Sequence, residues 1–430
     1  MAAGVGGTDG RKQVPMKPPD SSVEKTANSR ETPAGGRLVS LDALRGFDMF
    51  WIVGAGALVS ALGKVHDNGV TRFLVAQLSH VQWVGFHFED LIFPLFVFIS
   101  GVSLVFSMDG VVARQGRLKG AVRLLRRCVA LFLLGIFYYG GLTNPWPEIR
   151  LLGVLQYFGL ACFFGGLTYL ALRRARPIAA ACAALLLAHW ALMAWVPFPD
   201  VRLDEKSLAK TVAQVGSTAP EKVLRSAAGR VRGPYEEGYT LSNYIDYRFL
   251  PGKKVNGAYE NQPLLGVFGV VGACLLGVLA GLWLRRVDVT DARKVAGLLA
   301  TGAAVVALGL LVSLKVPVVK KLWSPSFVLV AAGASAVLLG AFYWVVEIGK
   351  RRRWCQPFVW IGMNSIAVYL AHNIVNFAAL AERLAGGDLQ RCLDAHVAKG
   401  FGGVWLAVVE LGLTFLFARF LYVRKIFIRL

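Results

Sequence analysis

The sequence predicts an all-α polytopic membrane protein, with about ten transmembrane helices and one short re-entrant or interfacial helix near residues 73–88. Two observations carry this. Of the 430 residues, 56% are hydrophobic and only 17% charged, and the mean hydropathy is +0.54. The apolar residues also fall in runs of about 20, the length that crosses a bilayer core of ~30 Å. The formal net charge is nevertheless +21, from 47 Lys and Arg against 26 Asp and Glu. A basic nucleic-acid-binding protein would be polar throughout, so nucleic acid is excluded as the main partner. What matters is where along the chain the charge falls.

Residues 1–36 are mostly Gly, Pro, Lys, Ser and Thr, and cannot bury enough apolar surface to offset ordering entropy. They read as a disordered cytoplasmic tail. No apolar h-region follows a basic start, so no cleavable signal peptide is expected. Residues 37–430 then form one transmembrane domain. Its candidate spans are 44–63, 91–109, 122–141, 151–172, 177–197, 264–284, 294–314, 325–348, 358–380 and 403–423. The run 73–88 carries His80, Gln82 and His87, and is too short and too polar to span.

Sorting the basic residues by alternating sides puts 28 with the N-terminus and 19 opposite, ten of these 19 inside the long loop 198–263. Long loops count little in the positive-inside rule, so both termini are expected in the cytoplasm and the protein in the inner (plasma) membrane, among its lipids. The six cysteines, at 128, 162, 182, 274, 355 and 392, form no C-x-x-C pair, and only Cys392 is expected outside. Neither a disulfide framework nor a metal site is expected. The run Lys350-Arg-Arg-Arg lies between two spans and reads as a topogenic cluster.

Ionisable side chains at membrane depth are costly and mark cavities or partners. Asp42, Arg45 and Asp48 share one face of the first span, either as a neutralised cluster or as one wall of a polar cleft. His80, Trp83, His87, Glu89 and Asp90 lie just before the second span, where the histidines suit either interfacial anchors or a base, since imidazole titrates near neutrality. Arg150, Gln156, His189, Asn364, Ser365, His372 and Glu410 complete the set. Five spans, a long loop and five more spans also fit a transporter or exporter of a small or sugar-like solute, built from inverted repeats. The two halves carry no matching signatures.

Five ordered blocks resemble the heparan-alpha-glucosaminide N-acetyltransferase family, over roughly residues 38–425. They are Ser40-Leu-Asp-Ala-Leu-Arg-Gly-Phe-Asp-Met-Phe-Trp, similar to the opening motif of bacterial members; His80-x-x-Trp-x-Gly followed by Asp90-Leu-Ile-Phe-Pro-Leu-Phe-Val-Phe-Ile-Ser-Gly; and Arg150-Leu-Leu-Gly-Val-Leu-Gln. Then come Lys320-Lys-Leu-Trp-Ser-Pro-Ser-Phe-Val-Leu and Gly362-Met-Asn-Ser-Ile-Ala-Val-Tyr-Leu-Ala-His. The segment Asn243-Tyr-Ile-Asp-Tyr-Arg-Phe-Leu-Pro-Gly-Lys is similar to the family's approach to its sixth span. Two features depart from the pattern. Gly54-Ala-Gly-Ala stands where some animal members carry Asn-Tyr, with the Asn a proposed catalytic partner, and loop 198–234 matches nothing in the family.

The resemblance implies a membrane acyltransferase that moves an acetyl group from cytoplasmic acetyl-CoA to an extracytoplasmic sugar amine or hydroxyl, on a cell-envelope or dietary glycan. The family's active-site histidine falls on His80, as general base or acyl carrier. Asp90 or Glu89 would orient its ring across a bend at Gly85. Arg45, Arg123, Arg126 and Arg127 are placed to meet CoA phosphates, and Gln156, Asn364 and Ser365 to hydrogen-bond an oxyanion or the pantetheine amides. Asp48, Trp83, His87, Glu89, Arg150, Trp323 and His372 form the remaining polar cleft. A homodimer stays open.

Overall fold

The computed structural model describes residues 38–428, preceded by Met1, Gly4 and Gly6. The tail expected over 1–36 otherwise lies outside them. Among the described residues the only named strands are an antiparallel pair, Phe198–Pro199 with Arg230–Val231. Eight helices among the described residues are long and apolar enough to cross a membrane, and a bent helix pair makes a ninth. The protein is an all-α multi-pass membrane protein.

The first span is α1 (Val39–Val65), interrupted at Val53 and Gly54. A short helix, α2 (Gly69–Gln77), follows, and then α3 (Phe88–Tyr138). At 51 residues, α3 would extend ~77 Å if straight, over twice a bilayer core. Gly116 breaks it with φ 83° and ψ 168°, a backbone region open to glycine because it lacks a Cβ. Beyond that break the chain folds back. The Phe96 ring and the Arg127 guanidinium meet the same Phe158 ring, at 4.9 and 5.5 Å, although a straight helix would hold them ~46 Å apart. The two halves of α3 therefore account for the expected spans 91–109 and 122–141.

The remaining spans are α4 (Val154–Leu172), α5 (Ala175–Trp195), α9 (Gly266–Leu284), α10 (Asp291–Ser313), α11 (Pro325–Ile348), the pair α12 (Gln356–Met363) and α13 (Ser365–Ala385), and, after a short α14 (Asp388–His396), α15 (Phe401–Val423). α12 and α13 bend by 80° at Asn364. The first half of α3 packs centrally with α9 and α11, whereas α5 and α10 lie mostly at the periphery. Backbone-level packing needs glycine at the α1–α12 contact. A Cβ on Gly46 would run into the carbonyl of Phe358, and one on Gly362 into that of Asp42.

Segments that the sequence sorts to one side meet at one end of the bundle. Asp109 accepts hydrogen bonds from Tyr169 Oη at 2.7 Å and Arg173 at 2.8 Å, and also pairs with Arg285. The opposite end carries a folded cap. Within it lie α6 (Glu205–Val215), α7 (Pro220–Arg225) and α8 (Leu241–Phe249). The cap has buried clusters of its own around Leu203, Val223 and Tyr247, and around Phe198, Leu241 and Leu322, and Trp83 packs on both.

One expectation is corrected. The short helix runs over 69–77, not 73–88. Asn68 starts it by capping the amides of Val70 and Thr71 at 2.9 and 3.0 Å. After Gln77 the chain is irregular up to His87, because Gly85 turns at φ 134° and its amide bonds to Val318 O at 2.9 Å. The histidine segment is thus a loop pinned to the α10–α11 connection.

Candidate active site

The site is built at the start of α3. Asp90 is its third residue, where an acidic side chain satisfies the unpaired amides of a helix N-terminus. Its Oδ2 accepts from the amides of His87 at 3.1 Å and Val81 at 3.3 Å. That grip folds the preceding loop over the helix end and brings His80 Nδ1 to 3.1 Å from Asp90 Oδ1. The carboxylate is 1% exposed and the imidazole 60% exposed. A buried acceptor therefore holds one ring nitrogen and leaves Nε2 outward. Lys320, from the α10–α11 connection, closes the cluster. Its Nζ lies 3.3 Å from Asp90 Oδ1, 3.2 Å from His80 Nδ1 and 3.5 Å from the Glu89 carbonyl. Burial pushes the Lys320 ammonium below its ordinary range, and Asp90 draws it back.

This cluster opens onto a cavity of about 260 Å³. Trp83, Glu89 and Lys320 line its mouth, with Asn261 and Gln262 from the cap. Met49, Ile52, Phe96, Phe158, Ser365 and Tyr369 line its membrane-embedded part. The 80° bend at Asn364 is what turns Ser365 and Tyr369 toward it. Chemically, the site offers a base with a buried carboxylate behind it, an adjacent cation, and a largely apolar chamber.

Curated proteins resemble this chain over most of its length. Heparan-alpha-glucosaminide N-acetyltransferase of Homo sapiens is 28% identical over 381 residues, covering 81% of the chain, and that of Mus musculus is 26% identical over 387 residues, also covering 81%. The chain is thus similar to heparan-alpha-glucosaminide N-acetyltransferases over most of its own length. It spans about half the length of these curated relatives, 55% and 56%. No family model matches it.

The other sequence-predicted residues divide into three groups. The first surrounds the cavity. Trp83, Glu89 and Ser365 line it, and Asp48 is buried one residue from Met49, with neither carboxylate oxygen hydrogen-bonded. The second does not line the cavity, although Arg127 touches its lining residue Phe158. Arg127 caps the Phe158 ring with its Nε buried and unpartnered, while Arg45 pairs with Asp42 at 3.3 Å and donates to Ser103 Oγ at 2.7 Å. Arg126 is exposed on the same helix.

The third group supports the structure around the site. Arg150 grips Glu260 through two bonds of 3.0 and 2.8 Å and Gln262 at 2.9 Å, and so fixes the cap segment that lines the cavity. Burial raises the Glu260 carboxyl above its ordinary range, and Arg150 counters this. Trp323 is fully buried behind Phe93, at 5.4 Å. Gln156 packs in the gap left by Gly135. Asn364 accepts from the amide of Ile428 at 3.2 Å, and the His87 ring bonds Ser79 O at 2.9 Å. His372 lies 3.9 Å from Glu410 and away from the cavity lining. His189 is buried beside Phe268, away from the site.

Sequence reasoning missed Lys320 as a site residue, along with Asn261, Gln262 and Tyr369. Lys320 opens one of the five motif blocks, but a lysine in a short loop reads as topogenic charge. Asn261 and Gln262 carry no local signal at all.

Proposed function

We propose that this protein is a membrane acetyltransferase that moves an acetyl group from cytoplasmic acetyl-CoA to an extracytoplasmic sugar amine or hydroxyl, with His80 as general base or acyl carrier. The observation that carries the reading is the His80–Asp90 pair, which faces a cavity that reaches from the cap into the bundle. The names of the relatives agree with it. The basic residues favour an arrangement with both termini in the cytoplasm of an inner membrane, which puts His80 and the cap outside.

In this reading His80 Nε2 takes the proton of the acceptor amine or hydroxyl as it attacks the thioester carbon. The carbon–sulfur bond breaks, and the imidazolium returns the proton to the departing sulfur. Asp90 keeps Nδ1 protonated and the ring oriented throughout. If His80 instead carries the acetyl group, Nε2 attacks first and the acceptor displaces the imidazole in a second step. The methylene and methyl groups of the co-substrate's pantetheine arm suit the Phe96–Phe158 end of the cavity, with Ser365 as a hydrogen-bonding wall for its amides. Its phosphates would meet Arg127, whose buried Nε lacks an acceptor, and then Arg45 and the surface Arg126. Glycan specificity would rest on Trp83, Asn261 and Gln262.

The test is purified full-length chain in liposomes, supplied with labelled acetyl-CoA and a panel of amino sugars and neutral glycans. Free thiol and a labelled sugar are expected, and His80→Ala should abolish both while eluting as folded protein. Unchanged thiol release in His80→Ala would sink the role of His80. Sugar flux without any CoA dependence would favour a transporter instead.

A further inference from the structure

We propose that Lys320 is the electrophilic residue of this site, donating an ammonium hydrogen to the carbonyl oxygen of the transferred acyl group. The proposal rests on the acyl-transfer reading above and adds a residue to it.

The first argument is a count of donors. An ammonium has three hydrogens and no acceptor. Asp90 Oδ1 at 3.3 Å and the Glu89 carbonyl at 3.5 Å take two of them. His80 Nδ1 is also near, at 3.2 Å, yet it cannot accept while it donates its own hydrogen to Asp90. The third hydrogen is left for the cavity, which Lys320 lines together with His80. The neighbouring Lys321 is occupied differently, paired with Glu237 at 2.7 Å.

The second argument is charge. With His80 neutral, Asp90 and Lys320 cancel. When the acceptor attacks, the proton moves to His80 and one negative charge appears on the acyl oxygen. Without a cation at that oxygen, the new charge would form in an apolar chamber where it is poorly solvated. Lys320 supplies a cation there and needs no proton transfer of its own. The carbonyl electron pair moves onto oxygen and returns as the carbon–sulfur bond breaks. The sulfur takes its proton from His80, and Lys320 keeps all three hydrogens.

The third argument is the rigidity of the connection. Lys320 opens a single 3₁₀ turn, Lys320–Leu322, that ends on Trp323 in the left-handed region at φ 52° and ψ 42°. A bulky residue adopts that conformation only when its surroundings enforce it. Here the Trp323 side chain is fully buried, Ser324 Oγ accepts from the Val319 amide at 3.1 Å, and it donates to Pro317 O at 2.8 Å. A lysine that only balanced charge would need no such mount.

The test compares Lys320→Met and Lys320→Gln with the parent chain in liposomes, following kcat, KM for acetyl-CoA and the infrared carbonyl band of bound ¹³C-acetyl-CoA. Lys320→Met should lower kcat by about 10²–10³-fold, as expected for a lost oxyanion donor, with KM changed by less than about threefold. Lys320→Gln, which keeps an N–H but no charge, should fall between. The parent's band should sit below its frequency in solution and return there in Lys320→Met. If kcat stays within tenfold, or falls while the band does not move, Lys320 only positions its neighbours and the proposal is overturned. If Lys320→Met does not fold, the Lys320→Gln band and kcat decide alone. Absence of thiol release and of labelled sugar with the parent chain would instead overturn the underlying acyl-transfer reading, so the two failures are distinguishable.

Discussion

Replacing Asp90 by Asn tests the geometry at its centre, because the substitution keeps shape and removes one charge. Four groups address the carboxylate: His80 Nδ1 and Lys320 Nζ on Oδ1, at 3.1 and 3.3 Å, and the Val81 and His87 amides on Oδ2. An amide has one oxygen and cannot serve both sets. If the oxygen keeps the backbone amides, the NH₂ faces an ammonium and forces His80 Nδ1 to become an acceptor. Nε2 then carries the hydrogen and the base is lost. If the oxygen turns to His80, two amides lose their acceptor, at about 1–3 kcal/mol for each buried donor. Either orientation damages the site. The first should cost about 10⁴-fold in kcat, the size seen when an amide replaces the carboxylate behind a catalytic histidine. The second should appear as a lower unfolding temperature. Thiol release and thermal unfolding, measured on one preparation, cover both. Asp90→Asn with parental kcat and stability would refute the claim that this carboxylate sets the ring.

Arg127→Met should raise KM for acetyl-CoA about tenfold to a hundredfold, the loss of one charge-assisted bond, with kcat largely kept. A competition assay with desulfo-CoA reads it directly. Arg150→Lys keeps the charge but not the fork, so the Glu260–Gln262 segment should loosen by about 1.5–3 kcal/mol, with acceptor KM rising more than acetyl-CoA KM. Asp246 gives a pH prediction. Burial pushes its carboxyl up to about 7, against the amides of Leu264 and Glu260 that pull it down. The unfolded carboxyl titrates near ~3.9, so the folded cap retains a proton that the unfolded chain releases. Stability should therefore be full below pH ~4 and fall as pH rises toward 7. Thermal unfolding across pH 4–8 should show that slope in the parent chain and a flatter one in Asp246→Asn.

The architecture was legible in the sequence because the bilayer imposes one length on every span. Only where the chain departs from that length was the reading imprecise. α3 joins two expected spans across a single glycine, so composition could count the crossings but not show that one residue makes the turn. The helix expected over 73–88 failed for a related reason. Its apolar residues carry no helical signal beyond Gln77, and Gly85 together with the carbonyl of Val318 decides the backbone. The cap was invisible because its clusters join residues far apart, such as Trp83 with Tyr235, whose carbonyl accepts the indole hydrogen at 2.6 Å.

For the site, the order of difficulty follows sequence separation. His80 and Asp90 are ten residues apart, and a helix N-terminus supplies a local reason for the carboxylate to fold back on its loop. Lys320 lies 240 residues from His80. Nothing near it in sequence distinguishes a lysine that faces an active-site cavity from one that orients a helix in the membrane. The same ambiguity explains Arg150. Its position beside a span suggests a cleft residue, but its buried partner Glu260 lies 110 residues away, so its effect on the cavity passes through Gln262. In a chain with so much basic charge, the informative question about each cation is which acceptors its hydrogens already have. Arg150 has all its observed bonds within the cap, whereas Arg127 keeps a buried Nε without a partner against the cavity-lining Phe158, and the donor count argued above leaves one Lys320 hydrogen for the cavity. Those two residues, one at each end, are where a negatively charged co-substrate and a transient oxyanion would be met.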